Sequence, residues 1–211
     1  MIFNQQMENQ SLERRILENA LRQGIKEQQF YIEYQPKVKI TSNQLIGMEA
    51  LVRWNHPELG VISPGKFIPI AEESGLIVPL GEWILRESCR QASVWLDEHN
   101  QDLSLSVNIS VRQLEDVDFV IKLKNILQET GLDPAKLELE ITESVLANMK
   151  SMSSILKEIR KLGIQISIDD FGTGYSSLSY IKEFPIDTLK IDQSFVKDIH
   201  MNKESKEIAK A

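Results

Sequence analysis

The spacing of apolar residues predicts an amphipathic helix at the start of the chain. Over residues 9–27, apolar side chains recur at helical spacing and form one face, which Ser11 can cap. The polar segment 1–10 before this helix is interpreted as a linker. Phe30, Ile32 and Tyr34 then recur at alternate positions, which predicts a first strand over 30–35 that ends at Pro36.

Beyond this strand the pattern becomes an alternation of strands and helices. Two strand-like segments, 37–40 and 44–54, flank the polar residues 41–43 and predict a hairpin. Helices are predicted over residues 64–74, 79–98, 119–130, 150–162 and 176–183 and from 193 onward, and strands over 103–109, 137–142, 164–169 and 188–191. Such alternation indicates parallel strands covered by helices, either in an open sheet or in a (β/α)8 barrel.

Polar residues at the ends of successive predicted strands favour the barrel. They are Glu49, Asn108, Glu140 with Glu143, Asp169 with Asp170, and Lys190 with Asp192. A barrel gathers its strand ends at one mouth, where barrel active sites form, whereas an open sheet spreads them along an edge. Taken singly, a carboxylate at a strand end is more often a helix cap or a solvated loop residue. The hypothesis of a site therefore depends on the joint pattern.

The side chains in this set favour divalent metal chemistry on a phosphate. Carboxylate and amide oxygens suit Mg²⁺ or Mn²⁺ rather than Zn²⁺. The adjacent Asp169 and Asp170 suit a bridged pair of ions that activates water against a phosphodiester. Lys190 could orient that water, and Arg53, close to Glu49 in sequence, could hold a phosphate through two hydrogen bonds.

Composition narrows the class of protein further. The 211 residues carry a net charge of −7, which disfavours non-specific binding to DNA, RNA or anionic lipid. The single cysteine, Cys89, allows no disulfide framework, and three scattered histidines do not form a usual zinc site. No signal peptide, membrane-spanning run or glycine-rich phosphate loop is present in the sequence. A soluble, cytoplasmic protein is therefore expected.

Several motifs resemble those of a known family. The string Met48-Glu49-Ala50-Leu51-Val52-Arg53-Trp54 resembles the signature of EAL domains, the bacterial cyclic di-GMP phosphodiesterases. Further motifs follow in the family's order: Tyr34-Gln35-Pro36 before it, and after it the segments 64–72, 107–110, 138–144, 169–178 and 189–192. The resemblance covers the chain from about Leu12 onward.

The resemblance implies a (β/α)8 TIM-type barrel with an antiparallel first strand, which hydrolyses cyclic di-GMP to linear pGpG. It also implies roles for individual residues. Glu49, Asn108, Glu140 and Asp169 match metal ligands, Asp170 matches a ligand of a second metal, and Gln35, Leu51 and Arg53 match substrate contacts. Lys190 matches the lysine that holds the catalytic water, with Asp192 beside it, and Glu143 matches the glutamate that anchors the loop 171–178.

The family's architecture also implies partners and a domain organisation. The loop 171–178 couples the metal site to dimerisation, so a homodimer is expected, with Val145, Leu146, Tyr180 and Phe184 as nearby apolar candidates. Residues 11–211 are interpreted as the EAL domain of a multidomain parent with upstream GGDEF (diguanylate cyclase) and sensor domains, which could tether it to a membrane.

One departure from the family pattern puts catalysis by these 211 residues in question. Family domains continue for about two more βα units, which carry a general-base glutamate and a Gln-Gly motif. Glu204 and Glu207 lie in a lysine-rich stretch and are poor replacements for that base. The residues alone are therefore expected to hydrolyse cyclic di-GMP poorly. The alternatives are a sensor that binds cyclic di-GMP without cleaving it, or an unrelated (β/α)8 metal-dependent hydrolase or aldolase.

Overall fold

The computed structural model describes residues 2–99, 103–143, 149–172 and 184–197. The elements in these residues are, in chain order, α1 (Ile2–Lys26), β1 (Phe30–Val38), β2 (Leu45–His56), β3 (Gly60–Ile62), α2 (Pro64–Ser74), α3 (Ile77–His99), β4 (Ser104–Ile109), α4 (Val111–Leu114), α5 (Phe119–Thr130), a 3₁₀ turn (Pro134–Lys136), β5 (Leu137–Thr142), α6 (Met149–Lys161), β6 (Gln165–Phe171), β7 (Thr188–Ile191) and α7 (Gln193–Lys197).

The strands form one sheet in the order β1-β2-β4-β5-β6-β7, with β3 paired to β2 outside this path. β1 and β2 are antiparallel, and Gln35 lies opposite Glu49. From β2 onward, each neighbouring pair along the path is parallel. Parallel strands that alternate with helices after an antiparallel first strand are the predicted arrangement. The prediction of a TIM-type α/β fold is therefore confirmed.

Side chains alternate between the two faces of this sheet, and the two faces differ in chemistry. On the outer face of β2, Met48, Ala50 and Trp54 are buried. The Trp54 ring packs edge-on against Phe67 of α2, with ring centroids 5.5 Å apart. The inner face of the same strand carries Glu49, and polar residues continue along this face on the neighbouring strands. The candidate site lies on this inner face.

The helix ends follow the predicted signals. Pro64 occupies the first turn of α2, where its missing N–H costs no hydrogen bond. Gly131 and Gly163 follow α5 and α6, and both have positive φ angles of 71° and 94°, which glycine adopts without strain. Among the described helices, none is long and apolar enough to cross a lipid bilayer.

Two predicted boundaries near the N-terminus are wrong. The helix predicted over 9–27 begins at Ile2, so the predicted linker 1–10 is helical from that residue onward. Residues 2–8 contain no proline or glycine that would end a helix. Pro36 does not end the first strand, because β1 continues to Val38. Among the described residues, β1 pairs only with β2 and is an edge strand, the position in a sheet that tolerates proline.

Other differences concern elements further along the chain. The short elements β3 and α4 were not predicted, and β6 extends past the predicted end at Asp169 to Phe171. The predicted helix 176–183 lies outside the described residues, as do Val145, Leu146, Tyr180, Glu204 and Glu207. Phe184 is buried against the core, so it is not available as a surface contact in a dimer.

Candidate metal centre

The register of the parallel strands brings the predicted residues to one region of the inner face. Asn108 on β4 lies directly beside Glu140 on β5. Glu49 on β2 pairs with Ser106, so it lies two residues before the level of Asn108. Asp169 on β6 pairs with Thr142, so it lies two residues beyond the level of Glu140. An offset of two residues keeps a side chain on the same face of the sheet.

Three carboxylates meet in this region. Glu49, Glu140 and Asp169 each offer one oxygen atom, and these atoms all lie within 4.8 Å of one another. The Asn108 amide donates a 2.8 Å hydrogen bond to Oε1 of Glu49. Oxygen atoms this close, with no sulfur or imidazole among them, fit a hard divalent cation. The chain therefore contains an acidic cluster that could hold such an ion.

Lys190 on β7 binds all three carboxylates. Its Nζ donates to Oε2 of Glu140 at 2.6 Å, to Oδ2 of Asp169 at 3.0 Å and to Oε2 of Glu49 at 3.3 Å. Burial acts to lower the pKa of Lys190. The hydrogen bonds and negative charges of these carboxylates outweigh burial and raise the pKa above its usual value. One ammonium group thus faces three acids.

Glu140 is the most deeply placed of the three. Its residue surface is only 1% exposed, and this burial raises the pKa of its carboxyl, with a further increase from the negative charge of Glu49. The Lys190 ammonium opposes that increase. A buried carboxylate among other carboxylates is destabilised by repulsion. Additional positive charge next to the cluster would therefore stabilise it.

The other predicted acids lie at the border of this cluster. Asp170 adopts a positive φ of 54°, and its backbone N–H donates to Oδ1 of Asp169 at 3.0 Å. Burial raises the pKa of Asp170, and so do the charges of Asp169 and Asp192. Asp192 accepts a 2.8 Å hydrogen bond from the N–H of Ser194 at the start of α7. Glu143 is buried and accepts a 3.1 Å hydrogen bond from the N–H of Gly172, so it joins β5 to the segment after β6.

The predicted substrate contacts form a wall beside the cluster on β1 and β2. Gln35 is exposed directly opposite Glu49, and Leu51 and Arg53 continue the same face of β2. The guanidinium of Arg53 donates through Nε to Oε2 of Glu33 at 2.7 Å and through Nη1 to the Val52 carbonyl at 3.1 Å. These two hydrogen bonds fix the orientation of the Arg53 side chain.

Sequence reasoning missed a second set of polar residues on the inner face. Lys37, Ser106 and Glu138 are hydrogen-bonded to one another below the acidic cluster. Each stands two residues from a predicted site residue on its own strand: Lys37 from Gln35, Ser106 from Asn108 and Glu138 from Glu140. The two-residue period of a strand was therefore the signal that could have identified them.

Comparison with known proteins identifies the family. The family model of the EAL domain matches residues 18–211 of this chain. The chain belongs to the EAL domain family. The bifunctional diguanylate cyclase/cyclic di-GMP phosphodiesterase MucR of Pseudomonas aeruginosa is 41% identical over 210 residues, which cover 99% of this chain and 31% of MucR. The cyclic di-GMP phosphodiesterase PdeR of Escherichia coli is 42% identical over 211 residues, which cover all of this EAL chain and 32% of PdeR.

Solved structures agree with this assignment. A structure of the MucR phosphodiesterase in complex with c-di-GMP matches with a TM-score of 0.86 and 42% identity, over 91% of this chain and 78% of that one. The EAL enzyme Bd1971, with cAMP and cyclic di-GMP bound, matches with a TM-score of 0.88 and 36% identity, over 94% of this chain and 55% of that one. The chain spans about a quarter to a third of the length of the curated relatives it matches.

Proposed function

We propose that this EAL domain is a metal-dependent phosphodiesterase that hydrolyses cyclic di-GMP to linear pGpG. The observation that carries the proposal is the cluster of Glu49, Glu140 and Asp169 around Lys190 on the inner face of the sheet. Two relatives about 40% identical to the chain are named for this activity, and the whole cluster lies within the aligned region.

The proposed ions are Mg²⁺ or Mn²⁺. Glu49, Asn108, Glu140 and Asp169 would hold one ion, and Asp169 with Asp170 would take part in holding a second. A bound divalent cation supplies positive charge to the phosphoryl oxygens and lowers the pKa of water toward neutrality. The acidic cluster supports this proposal, because it offers only oxygen ligands and carries more negative than positive charge.

Lys190 would orient the attacking water and neutralise charge on the phosphate. Its ammonium already donates to all three clustered carboxylates, so it would act as a hydrogen-bond donor and not as the base. The group that removes a proton from water would be a different one. Asp192, beside Lys190 in sequence, would support this region by fixing the start of α7 and by interacting with Asp170.

The wall on β1 and β2 would bind the dinucleotide. Arg53 would contact a phosphate, and Gln35 and Leu51 would line the surface between Arg53 and the acidic cluster. Glu143 would hold the segment that follows Asp170 through its hydrogen bond to Gly172. The orientation of Arg53, already fixed by Glu33 and the Val52 carbonyl, supports its role because less conformational entropy is lost on binding.

Hydrolysis by the intact protein tests this function. Purified protein with Mn²⁺ is mixed with cyclic di-GMP, and pGpG is quantified by chromatography. Glu49→Gln removes a carboxylate ligand with little change in side-chain size, and we expect the rate to fall by about 10- to 100-fold or more. Glu58→Gln, at an exposed turn position, is the matched control and should retain the parent rate.

Two outcomes would contradict the proposal. A Glu49→Gln variant as active as the control would remove the acidic cluster from the reaction. Tight binding of cyclic di-GMP by the parent without formation of pGpG would instead indicate a sensor domain, the alternative reading of the same site.

The assembly around this domain is proposed on separate grounds. The domain would operate in the cytoplasm as a homodimer, within a longer chain that carries GGDEF and sensor domains. The chain covers only 31% of MucR, which is named as a bifunctional diguanylate cyclase/cyclic di-GMP phosphodiesterase. Both facts support a longer, multidomain protein. Its buried single thiol fits a reducing compartment. Sedimentation of the intact protein at micromolar concentration would reject the dimer if only a monomer were found.

A further inference from the structure

A second charged layer lies beneath the acidic cluster. The Nζ atom of Lys37 lies 2.6 Å from Oγ of Ser106, 2.6 Å from Oε2 of Glu138 and 3.5 Å from Oε1 of Glu140. Ser106 Oγ also donates to Glu138 Oε2 at 2.5 Å. Glu138 is buried, and the Lys37 side chain is only 28% exposed. Three strands, β1, β4 and β5, thus contribute to one polar network inside the sheet.

This network is an unusual way to fill a barrel. The interior of such barrels is packed mainly by branched apolar side chains. A buried ion pair commonly adds no net stability relative to apolar residues of similar volume, because both charges lose their hydration. Stability alone therefore does not account for a lysine and a glutamate at these positions.

The contact between Lys37 and Glu140 indicates what the network does. Lys190 binds Oε2 of Glu140 from β7, while Lys37 approaches Oε1 of the same carboxylate from β1. The two ammonium groups therefore hold the two oxygens of one buried carboxylate from different strands. A carboxylate held in this way keeps a fixed orientation, with Oε2 on the Lys190 ammonium that also binds Glu49 and Asp169.

We propose that Lys37 is a positioning residue for the metal centre: it fixes Glu140 through Oε1 and so increases the affinity of the acidic cluster for a divalent cation. This inference rests on the proposed function, because it assumes that the cluster binds a cation. Lys37 would act through Glu140 and not through contact with the ion. Partners that orient a metal ligand typically contribute 10- to 100-fold to metal affinity.

Electrostatics alone makes the opposite prediction. A positive charge near a cation site repels the cation, so loss of Lys37 would tighten binding if charge were its only contribution. Lys37→Met by itself also leaves Glu138 buried without its cation. The double variant Lys37→Met/Glu138→Gln avoids both problems, because it removes one positive and one negative charge together and keeps the net charge of the layer unchanged.

The experiment is a calorimetric titration of the intact, metal-free protein with Mn²⁺, together with thermal unfolding of each variant. We expect the double variant to bind Mn²⁺ about 10- to 100-fold more weakly than the parent while it remains folded. Lys37→Arg, which keeps a cationic donor, should recover part of the affinity. Lys39→Met is the matched control, since Lys39 is exposed on the neighbouring turn, and it should bind like the parent.

Each alternative result has a distinct meaning. Unchanged or tighter Mn²⁺ binding by the folded double variant would overturn the positioning role, and a change confined to the unfolding temperature would show that the network is only structural. A parent protein that binds no Mn²⁺ would overturn the proposed metal-dependent function itself.

Discussion

At the scale of single residues, hydrogen bonds between neighbouring side chains prepare the site before any ligand binds. Asn108 holds one oxygen of Glu49, and Lys190 holds the other. Glu140 has the same arrangement, with Lys37 at one oxygen and Lys190 at the other. Side chains that are already oriented lose less entropy when a ligand is captured, which favours binding. The acidic cluster is thus restrained by groups from three other strands, β1, β4 and β7.

Substitution of Arg53 tests whether substrate binding and metal binding depend on different residues. Arg53→Ala removes a guanidinium that the structure places on the β1 and β2 wall, paired with Glu33. We expect the affinity for cyclic di-GMP to fall by about 1.5–3 kcal/mol, the usual contribution of a hydrogen bond to a charged group. The affinity for Mn²⁺ should not change, because the described contacts of Arg53 include none of the three clustered carboxylates.

Calorimetry in the Glu49→Gln background, where hydrolysis is expected to be slow, would measure nucleotide binding with little turnover. Arg22→Ala, at an exposed position on α1, is the control for loss of an arginine. Nucleotide affinity that is equal in the Arg53 and Arg22 variants would remove Arg53 from the substrate site.

The residues at strand ends could be predicted from the sequence because each one interrupts an apolar run. Glu49, Asn108, Glu140, Asp169 and Lys190 all do so, and the structure brings all five together. Lys37 and Glu138 could not be paired in the same way, because they are about a hundred positions apart in the chain. Their contact depends on strand register, which is set by long-range pairing rather than by local pattern.

At the scale of elements, the pairing of β2 with β4 determines the position of Glu49 relative to the residues of β4. Gly47 on β2 is aligned with Ser104 on β4, and a Cβ atom at position 47 would lie 2.7 Å from the Ser104 carbonyl oxygen. A backbone oxygen has little freedom to move away. Close packing at this glycine therefore holds the two strands in the register that places Glu49 on the mouth side of Ser104.

Gly47→Ala should destabilise the domain by about 1–3 kcal/mol, the usual cost of overpacking. Gly65→Ala is the matched control, since a Cβ atom there meets only Ser63 Oγ at 3.8 Å and should have a neutral or slightly stabilising effect. Urea unfolding of both variants would measure the difference. Equal midpoints would show that β2 and β4 can separate enough to admit a methyl group.

The packing of β1 on α3 predicts a pH dependence at alkaline pH. Tyr34 of β1 contacts Trp95 of α3, with ring centroids 4.7 Å apart, and burial raises the pKa of Tyr34 to about 12. In the unfolded chain a tyrosine titrates near its ordinary value of about 10. A raised pKa in the folded state means that the neutral phenol stabilises the fold below about pH 10, and that this contribution is lost as the pH rises toward 12.

Thermal unfolding between pH 8 and pH 11 would measure this effect. Tyr34→Phe should flatten the alkaline decline relative to the parent, because phenylalanine has no proton to lose. Tyr31→Phe, at an exposed position on the same strand, should leave the decline unchanged. Parallel curves for the parent and Tyr34→Phe would contradict the raised pKa.

Element boundaries were predicted less well than the elements themselves, for local physical reasons. The strand end predicted at Pro36 is wrong. Among the described residues β1 pairs only with β2, and a strand in that position does not need every backbone donor. The start of α1 was placed too late because no capping signal marks Ile2. By contrast, α2 and α5 were predicted with their full bounds, since proline or glycine marks an end of each.

At the scale of the whole molecule, the candidate metal centre joins strands that are distant in sequence. Glu49, Glu140 and Asp169 come from β2, β5 and β6, and they meet only when the sheet is formed. A cation held by these three residues would therefore bind the folded chain and not the unfolded one. Binding of this kind stabilises the fold by mass action, by about 2.7 kcal/mol at a free ligand concentration 100 times the dissociation constant.

This linkage predicts that Mn²⁺ raises the unfolding temperature of the metal-free parent and that EDTA reverses the increase. Asp169→Asn should lose most of the shift, because the amide removes one of the three clustered charges that attract the cation. Asp118→Asn, before α5 and exposed, is the matched control and should keep the full shift. All samples need equal ionic strength, so that general screening of the net charge of −7 does not contribute. An increase of the same size in both variants would assign the stabilising ion to another part of the molecule, because only the Asp169 variant changes the place where β2, β5 and β6 converge.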